Sequence, residues 1–131
     1  MQKKLYIKKV KGKGRAVFCN QPILEGDVIE VCPVIIVPAI DTESIQSTGL
    51  VDYCFNFNEE DKSLSLVMGF GSIYNYARYP NALYILNPRQ KLMTYTARQD
   101  IPTHTEITIN YSGEYGSDFG KWFADRGIDL V

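Results

Sequence analysis

Histidine is the scarcest reactive side chain in this sequence of 131 residues, which contains a single one, His104, in a polar stretch. A Ser-His-Asp or Cys-His site therefore has little to build on, because its central base is a histidine. The sequence has no glycine-rich loop ending in Lys-Ser or Lys-Thr, which argues against a phosphate-binding loop of that type. No pair of carboxylates stands out for glycoside hydrolysis.

Cysteine is also sparse. The sequence has three cysteines, Cys19, Cys32 and Cys54, which are widely spaced and form no Cys-x-x-Cys pair. Their odd number and spacing argue against a zinc site. Each has apolar or β-forming neighbours, so buried reduced thiols are predicted. The sequence shows no signal peptide and no apolar run near the roughly 20 residues of a membrane span. We expect a soluble, cytoplasmic chain in a reducing compartment, with a nuclear protein or a secreted effector left open.

A strong charge of one sign is missing as well. Lys and Arg number 14 against 15 Asp and Glu, for a net charge of -1. The basic residues gather only near the N-terminus, which is too little for a nucleic-acid surface over a whole domain. They suit the solvent face of strands or, alternatively, an anionic ligand. The length predicts one domain, residues 1–131, that buries about two-thirds of its unfolded surface.

The stretch that stands out is a polar, ring-rich connection between two apolar runs. The runs are residues 64–68 and 82–86, and Gly69–Asn81 between them contains three tyrosines, two asparagines and an arginine. A buried tyrosine hydroxyl needs a partner, and so do both ends of an amide such as Asn75. The composition is typical of a segment that crosses the interior or lines a cleft, or else of an ordinary tyrosine-rich loop.

Short alternating or β-branched runs predict a nearly all-β chain with little helix. The predicted strands are Lys4–Val10, Arg15–Asn20, Val28–Val37 with an interruption at Pro33, Val51–Phe57, Ser63–Met68, Ala82–Asn87, Lys91–Arg98 and Glu106–Tyr111. A short helix is predicted to begin at a cap of Asp41 or Thr42 and to end before Gly49. A second helix over Asp118–Asp125 is predicted from the i, i+3, i+4 spacing of Phe119, Trp122 and Phe123.

Three motifs follow one another along this chain. The first is the turn Gly12-Lys13-Gly14-Arg15, whose glycines let a ligand approach the backbone; the second is Asn75 with Pro80-Asn81; the third is Glu106-Ile-Thr-Ile-Asn-Tyr111. Together they resemble the SET domain, the family of protein-lysine methyltransferases that use S-adenosylmethionine. The family's patterns are Gly-x-Gly, Asn-His-Ser-x-x-Pro-Asn and Glu-Leu-Thr-x-Asp-Tyr. The resemblance covers roughly residues 4–112 and looks closest to compact, bacterial-type members.

The resemblance implies a mainly β fold of several small curled sheets, with a C-terminal pseudoknot in which the segments of Asn75 and Tyr111 thread past each other. It divides the chain into an N-terminal SET part (4–37), a variable insert (38–62), a C-terminal SET part (63–112) and a short helical tail (113–131). It also implies the cofactor S-adenosyl-L-methionine. The residues that would bind it are Gly12, Lys13, Gly14, Arg15, Asn75, Tyr76 and Trp122, with Lys13 or Arg15 paired to its carboxylate.

On the substrate side the resemblance makes Tyr111 the catalytic tyrosine and places four residues around the substrate: Tyr53, Phe55, Tyr84 and Ile109. The target would be the side-chain amine of a lysine in a basic, histone-like segment of a protein. A narrow aromatic channel would favour the neutral amine by desolvation. Tyr84 and the non-aromatic Ile109 favour mono- or dimethylation. The acidic residues at positions 52, 59, 60 and 61 could attract a basic tail, although a solvated turn explains them better.

The sequence departs from the family at three motif positions. Tyr76 replaces the histidine, Ala77 the serine and Asn110 the aspartate. Asn110 is a mild change, whereas Tyr76 and Ala77 keep open a catalytically inactive SET-like binding module. An unrelated β interaction domain is the third alternative. The cysteine-rich tail of many members is missing, and the helix with Trp122 would take its place. The resemblance also leaves a homodimer open, because some compact members pair to complete the substrate groove.

Overall fold

The structure is a computed structural model that describes residues 4–118. These residues contain nine strands, one α-helix and one 3₁₀ helix. The strands are β1 (Leu5–Val10), β2 (Gly14–Cys19), β3 (Val28–Val37), β4 (Cys54–Asn58), β5 (Ser63–Val67), β6 (Asn75–Tyr76), β7 (Ala82–Asn87), β8 (Leu92–Ala97) and β9 (Thr108–Ile109). Helix α1 spans Ala39–Gln46, and the 3₁₀ helix spans Gly49–Tyr53. The prediction of a mainly β chain with little helix is confirmed.

The described strands form three sheets. β1 and β2 make an antiparallel hairpin, and a five-stranded sheet has the order β4-β5-β3-β8-β7. The third sheet is the parallel pair of β6 and β9. Parallel strands cannot be joined by a tight hairpin, so the chain between them makes a crossover that contains β7 and β8. This crossover brings the second and third sequence motifs together, while the predicted pseudoknot stays a prediction.

β3 is continuous, so the predicted interruption at Pro33 is wrong. The strand changes partner there instead: Pro33 is the last residue paired with β8, and Val34 is the first paired with β5. Proline has no N–H to donate to a ladder, but its carbonyl accepts a hydrogen bond from the Met68 amide at 2.9 Å. A proline is tolerated here because the ladder passes from one neighbouring strand to the other.

Helix α1 begins before the predicted cap. It starts at Ala39 with Pro38 as the N-cap residue, so the prediction of Asp41 or Thr42 as the cap is wrong. The Thr42 hydroxyl donates to the Pro38 carbonyl at 3.2 Å, one turn back along the helix. The fixed φ of proline is compatible with a helix start.

The predicted strand Val51–Phe57 is wrong over its first three residues, which belong to the 3₁₀ helix. The Thr48 hydroxyl accepts a hydrogen bond from the Leu50 amide at 3.3 Å and caps the start of that helix. Tyr53 therefore does not share a strand face with Phe55, because side chains alternate only along a continuous strand.

The core is apolar and lies between the five-stranded sheet, the β1–β2 hairpin and the segments that bridge them. Its fully buried large side chains include Ile23, Ile29, Tyr95, Ile101 and Ile107. Cys19 and Cys32 are buried free thiols, as predicted, whereas Cys54 is a half-buried free thiol.

The predicted tail helix with Phe119, Trp122 and Phe123 lies outside the described residues, because the description ends at residue 118. Within residues 4–118, neither helix has the length and apolar character needed to cross a membrane.

Candidate active site

Two segments that are distant in sequence meet where β6 lies beside β9. Asn75–Tyr76 pairs with Thr108–Ile109. The predicted strand Glu106–Tyr111 is reduced to these two residues of β9, because Glu106 bridges to Phe18 of β2 instead. The second and third motifs are therefore neighbours, and Glu106 touches the hairpin that carries the first.

The side chain of Asn81 holds these two segments together. Its Oδ1 accepts a hydrogen bond from the Thr108 amide at 2.9 Å, and its Nδ2 donates to the Glu106 carbonyl at 2.8 Å. An amide can do both because it carries a donor and an acceptor. This arrangement explains an asparagine at the end of the second motif.

Glu106 joins all three motifs through its carboxylate. Its Oε1 lies 2.9 Å from the Lys13 ammonium, and its Oε2 accepts from the Asn75 amide at 2.9 Å. The same Asn75 amide donates to the Arg15 carbonyl at 2.9 Å. Hydrogen bonds to an ionised group are stronger than neutral ones, so the glycine turn is held against β6. Glu106 is not among the predicted site residues, although its place at the start of the third motif is a signal for such a role.

The glycine turn leaves its backbone open at this place. Gly14 has a φ of +79°, and a Cβ added to it would meet nothing within 4 Å. Gly12 also has a positive φ, of +84°, which favours glycine over other residues. A ligand can therefore approach the turn closely, beside the cationic side chains of Lys13 and Arg15.

Tyr111 lies near the residues that Glu106 joins, with its ring 5.6 Å from the ring of Tyr76. Its hydroxyl makes a long contact of 3.5 Å with the Tyr74 carbonyl. Burial raises the pKa of Tyr111 to about 12; the Tyr76 backbone amide acts in the opposite direction, and the Glu106 charge and Tyr53 raise it further. The hydroxyl therefore stays protonated at neutral pH and can orient a polar group without acting as a base.

A group of aromatic side chains also contacts the chain at Tyr111. The Tyr84 hydroxyl donates to the Tyr111 carbonyl at 2.8 Å, and its ring packs edge-on against Phe55 at 5.1 Å between centroids. Burial raises the pKa of Tyr84 to about 12. Tyr53 is 49% exposed and lies near enough to Tyr111 to affect its pKa. The rings predicted for the substrate side are thus brought together around the chain at Tyr111.

The connection formed by residues 69–81 packs on a buried carboxylate that the sequence analysis did not predict. Glu30 is 3% exposed; its Oε1 accepts from the Tyr74 hydroxyl at 2.6 Å and its Oε2 from the Phe70 amide at 3.0 Å. A Cβ added to Gly69 would lie 2.3 Å from that Oε2, so a glycine is needed there. Burial, followed by the Glu30 charge, raises the pKa of Tyr74 well above its usual range. A lone charge inside the apolar run of β3 was the available signal.

Two predicted site residues remain, Ile109 and Trp122. Ile109 is fully buried in the core, so its side chain has no exposed surface for a substrate. Trp122 lies outside the described residues.

A separate groove is lined mostly by residues with polar or charged side chains. It has a volume of about 700 Å³ and lies between α1 and the β4–β5 hairpin. Its charged lining residues are Glu43, Glu59, Asp61 and Lys62, so carboxylates outnumber cations. Two of the four acidic residues singled out in the sequence, Glu59 and Asp61, are among them.

Comparison with known proteins adds a family and relatives to this geometry. The family model of the SET domain matches residues 14–112. A protein of Schizosaccharomyces pombe named histone-lysine N-methyltransferase, H3 lysine-37 specific, is 31% identical over 123 residues, which are 93% of this chain and 78% of the relative.

Solved structures show the same architecture. A Plasmodium falciparum protein assigned as a histone methyltransferase superposes with a TM-score of 0.68 at 30% identity, covering 86% of this chain and all of the other. The ctPRC2 complex bound to S-adenosylmethionine contains a region with a TM-score of 0.72 at 17% identity, covering 97% of this chain and 17% of that one. At 17% identity, the similarity to the ctPRC2 region shows a shared fold only.

Proposed function

Because this chain belongs to the SET domain family and is a protein-lysine methyltransferase, we propose that it takes the methyl group from S-adenosylmethionine and transfers it to a lysine of a histone-like protein. The observation that carries the proposal is the Glu106 carboxylate, which joins Lys13 and Asn75 and thereby the motifs predicted to bind the cofactor. The ctPRC2 complex bound to S-adenosylmethionine shares the fold.

The residues present suit this cofactor. The open backbone at Gly14 leaves room for its methionine part. Lys13 is already paired with Glu106, so we propose that Arg15 supplies the cation for the cofactor carboxylate. Asn75 and Tyr76 would hold the adenine end through the backbone of β6. Trp122 stays a prediction for that end. When bound, the cofactor supplies an electrophilic methyl group.

The chain's own part in the chemistry is to orient the lysine amine and keep it neutral. A lysine in water has a pKa of about 10.4, and desolvation among rings lowers that pKa because the ammonium loses its water. We propose that Tyr53, Phe55 and Tyr84 line this environment. Tyr111, whose hydroxyl stays protonated, would orient the amine by a hydrogen bond. Most of the rate would come from positioning.

The aromatic side chains near Tyr111 bear on the degree of methylation, and the relatives and the groove bear on the substrate. Tyr84 is held by the Tyr111 carbonyl and by Phe55, and a fixed ring there would leave room for one or two methyl groups. Two relatives are named histone methyltransferases. A basic histone tail would be attracted by the carboxylates of the groove at the insert, residues 38–62.

The test is calorimetric titration with S-adenosylmethionine, followed by methyl transfer to mixed histones and basic peptides. We expect one cofactor per chain, and Tyr111→Phe should reduce kcat by about 100-fold, the loss expected when a reacting group is no longer held in position. The matched control is Tyr6→Phe, which removes another hydroxyl, one bonded to His104 at an exposed position.

Three results would separate the alternatives. Cofactor binding with transfer that is lost in Tyr111→Phe supports the proposal. Cofactor binding without transfer to any substrate would overturn the proposed transfer to histones and would favour an inactive cofactor-binding module. No cofactor binding would overturn the proposed methyl donor, and Tyr76 would be the first residue to revert to histidine.

A further inference from the structure

The chain after Tyr111 folds back across the cofactor-binding segment. Residues 112–117, the return segment, lie against residues 76–79. The Gly116 amide donates to the Arg78 carbonyl at 2.7 Å, and the Arg78 Nε donates to the Gly116 carbonyl at 2.8 Å. Tyr115 packs with its ring 5.2 Å from that of Tyr79 and beneath the guanidinium of Arg98 at 3.5 Å.

One acceptor, the Ser117 carbonyl, receives two side-chain donors at the end of the return segment. The Tyr76 hydroxyl donates to it at 2.7 Å, and the Asn110 Nδ2 donates to it at 2.8 Å. A carbonyl oxygen has two lone pairs and can accept both bonds. Asn110 is 2% exposed, so its bonds form away from solvent.

Tyr76 and Asn110 are two of the positions at which this chain departs from the SET motifs. An ionised aspartate at position 110 could accept hydrogen bonds but not donate one. Asn110 keeps the acceptor function, because its Oδ1 receives the Ser112 amide at 3.1 Å and the Ser112 hydroxyl at 2.9 Å. The asparagine therefore adds a donor to Ser117 and retains its hold on the start of the return segment.

We propose that Tyr76 and Asn110 are positioning residues that clamp the return segment over the Asn75 end of the site, and that this clamp increases the affinity for the cofactor. The hydroxyl of Tyr76 would serve the clamp while its backbone faces the cofactor. The second part rests on the proposed function. Within residues 4–118 the clamp consists of hydrogen bonds between protein groups, and it lies at the point of the chain where the cysteine-rich tail of other members would begin.

The existence of the clamp is tested without cofactor, by hydrogen exchange of peptides that cover residues 112–118. Loss of one such hydrogen bond should speed their exchange by roughly tenfold in Tyr76→Phe and in Asn110→Asp. The matched controls are Tyr6→Phe and Asn87→Asp, which make the same chemical changes at exposed positions. Unchanged exchange in Tyr76→Phe would overturn the clamp, and this variant decides the matter if Asn110→Asp does not fold.

The role of the clamp is tested with S-adenosylmethionine. In Tyr76→Phe the dissociation constant and the KM for the cofactor should rise by about tenfold, the effect of one lost hydrogen bond of about 1.4 kcal/mol, whereas the control Tyr6→Phe should leave both unchanged. Faster exchange with unchanged affinity would overturn the role in binding. A wild-type chain that binds no cofactor would overturn the proposed function and the role together, while the exchange data would still decide whether the clamp exists.

Discussion

Glu30 and Glu106 hold the same connection, residues 69–81, but in different surroundings. Glu30 is 3% exposed and accepts hydrogen bonds from two neutral donors, the Phe70 amide and the Tyr74 hydroxyl. The side chain of Glu106 is 15% exposed and accepts from the Asn75 amide and from the ammonium of Lys13. Both carboxylates use both oxygens, while Glu106 also has a charged partner and contact with solvent.

This difference separates support of the fold from binding of a ligand. A buried carboxylate has given up its water, so its stability depends on the protein donors that replace it. A part-exposed ion pair can exchange its contacts for water or for a ligand with a small change in free energy. We therefore expect substitutions around Glu30 to act mainly on unfolding and substitutions around Glu106 to act mainly on cofactor binding.

The largest effect is expected from Gly69→Ala, next to Glu30. The new Cβ would lie 2.3 Å from the Glu30 carboxylate, and the φ of +64° is strained for alanine. We expect a loss of about 3 kcal/mol in the free energy of unfolding, from overpacking and the left-handed backbone together. Urea denaturation measures it. The control is Gly26→Ala, which has a φ of +87° and no atom within 4 Å of the added Cβ; equal losses in the two variants would show that Glu30 does not constrain position 69.

Glu30→Gln should follow, with a loss of about 2 kcal/mol, because an amide offers one oxygen acceptor where two donors are buried. The contrast is the exposed Glu25→Gln, for which we expect a change within about 0.5 kcal/mol. Denaturation with urea at pH 7 compares the two. A loss in Glu30→Gln no larger than in Glu25→Gln would remove the distinction between the two anchoring carboxylates.

The tyrosines give a pH-dependent prediction. Tyr111 has a pKa of about 12 in the folded chain, against about 10 in the unfolded chain. The folded state keeps a proton that the unfolded state releases, so this stabilisation is complete below pH 10 and is lost as the pH rises through 12. The slope is about -1.4 kcal/mol per pH unit for each such tyrosine.

Tyr111→Phe should therefore make the decline of unfolding free energy between about pH 10 and 11.5 less steep by roughly one proton. Tyr84→Phe should do the same, because burial raises the pKa of Tyr84 to about 12 as well. Urea denaturation at a series of pH values measures the slopes. A wild-type slope in both variants would contradict the burial of these two hydroxyls.

Glu106→Gln should have the smallest effect on stability, about 1 kcal/mol or less, because the Lys13 pair is partly exposed. Its effect should appear in cofactor binding, with a dissociation constant for S-adenosylmethionine raised about tenfold, or about 1.4 kcal/mol. Calorimetry and urea denaturation on the same sample separate the two effects. If Glu106→Gln unfolds more readily than Glu30→Gln, the assignment of roles to the two carboxylates is reversed.

Elements that depend on near neighbours could be predicted from the sequence. The bounds of β3 and β7 match the predicted Val28–Val37 and Ala82–Asn87, because apolar runs and turn residues act within a few positions. Where local signals compete, the prediction failed. Val51–Tyr53 has β-forming residues but follows the Thr48 cap, and Pro38 starts α1 ahead of the expected acidic cap.

Composition and the order of three motifs were sufficient to indicate a mainly β chain of the SET family and to single out Tyr111. The tertiary structure decided which groups meet. The Glu106 carboxylate contacts Lys13, which is 93 residues away in the sequence, and Asn75, which is 31 residues away. Tyr76 contacts Ser117, which is 41 residues away in the sequence. No local pattern encodes such contacts, because a strand's periodicity specifies which face a side chain occupies and not which distant segment will cover it.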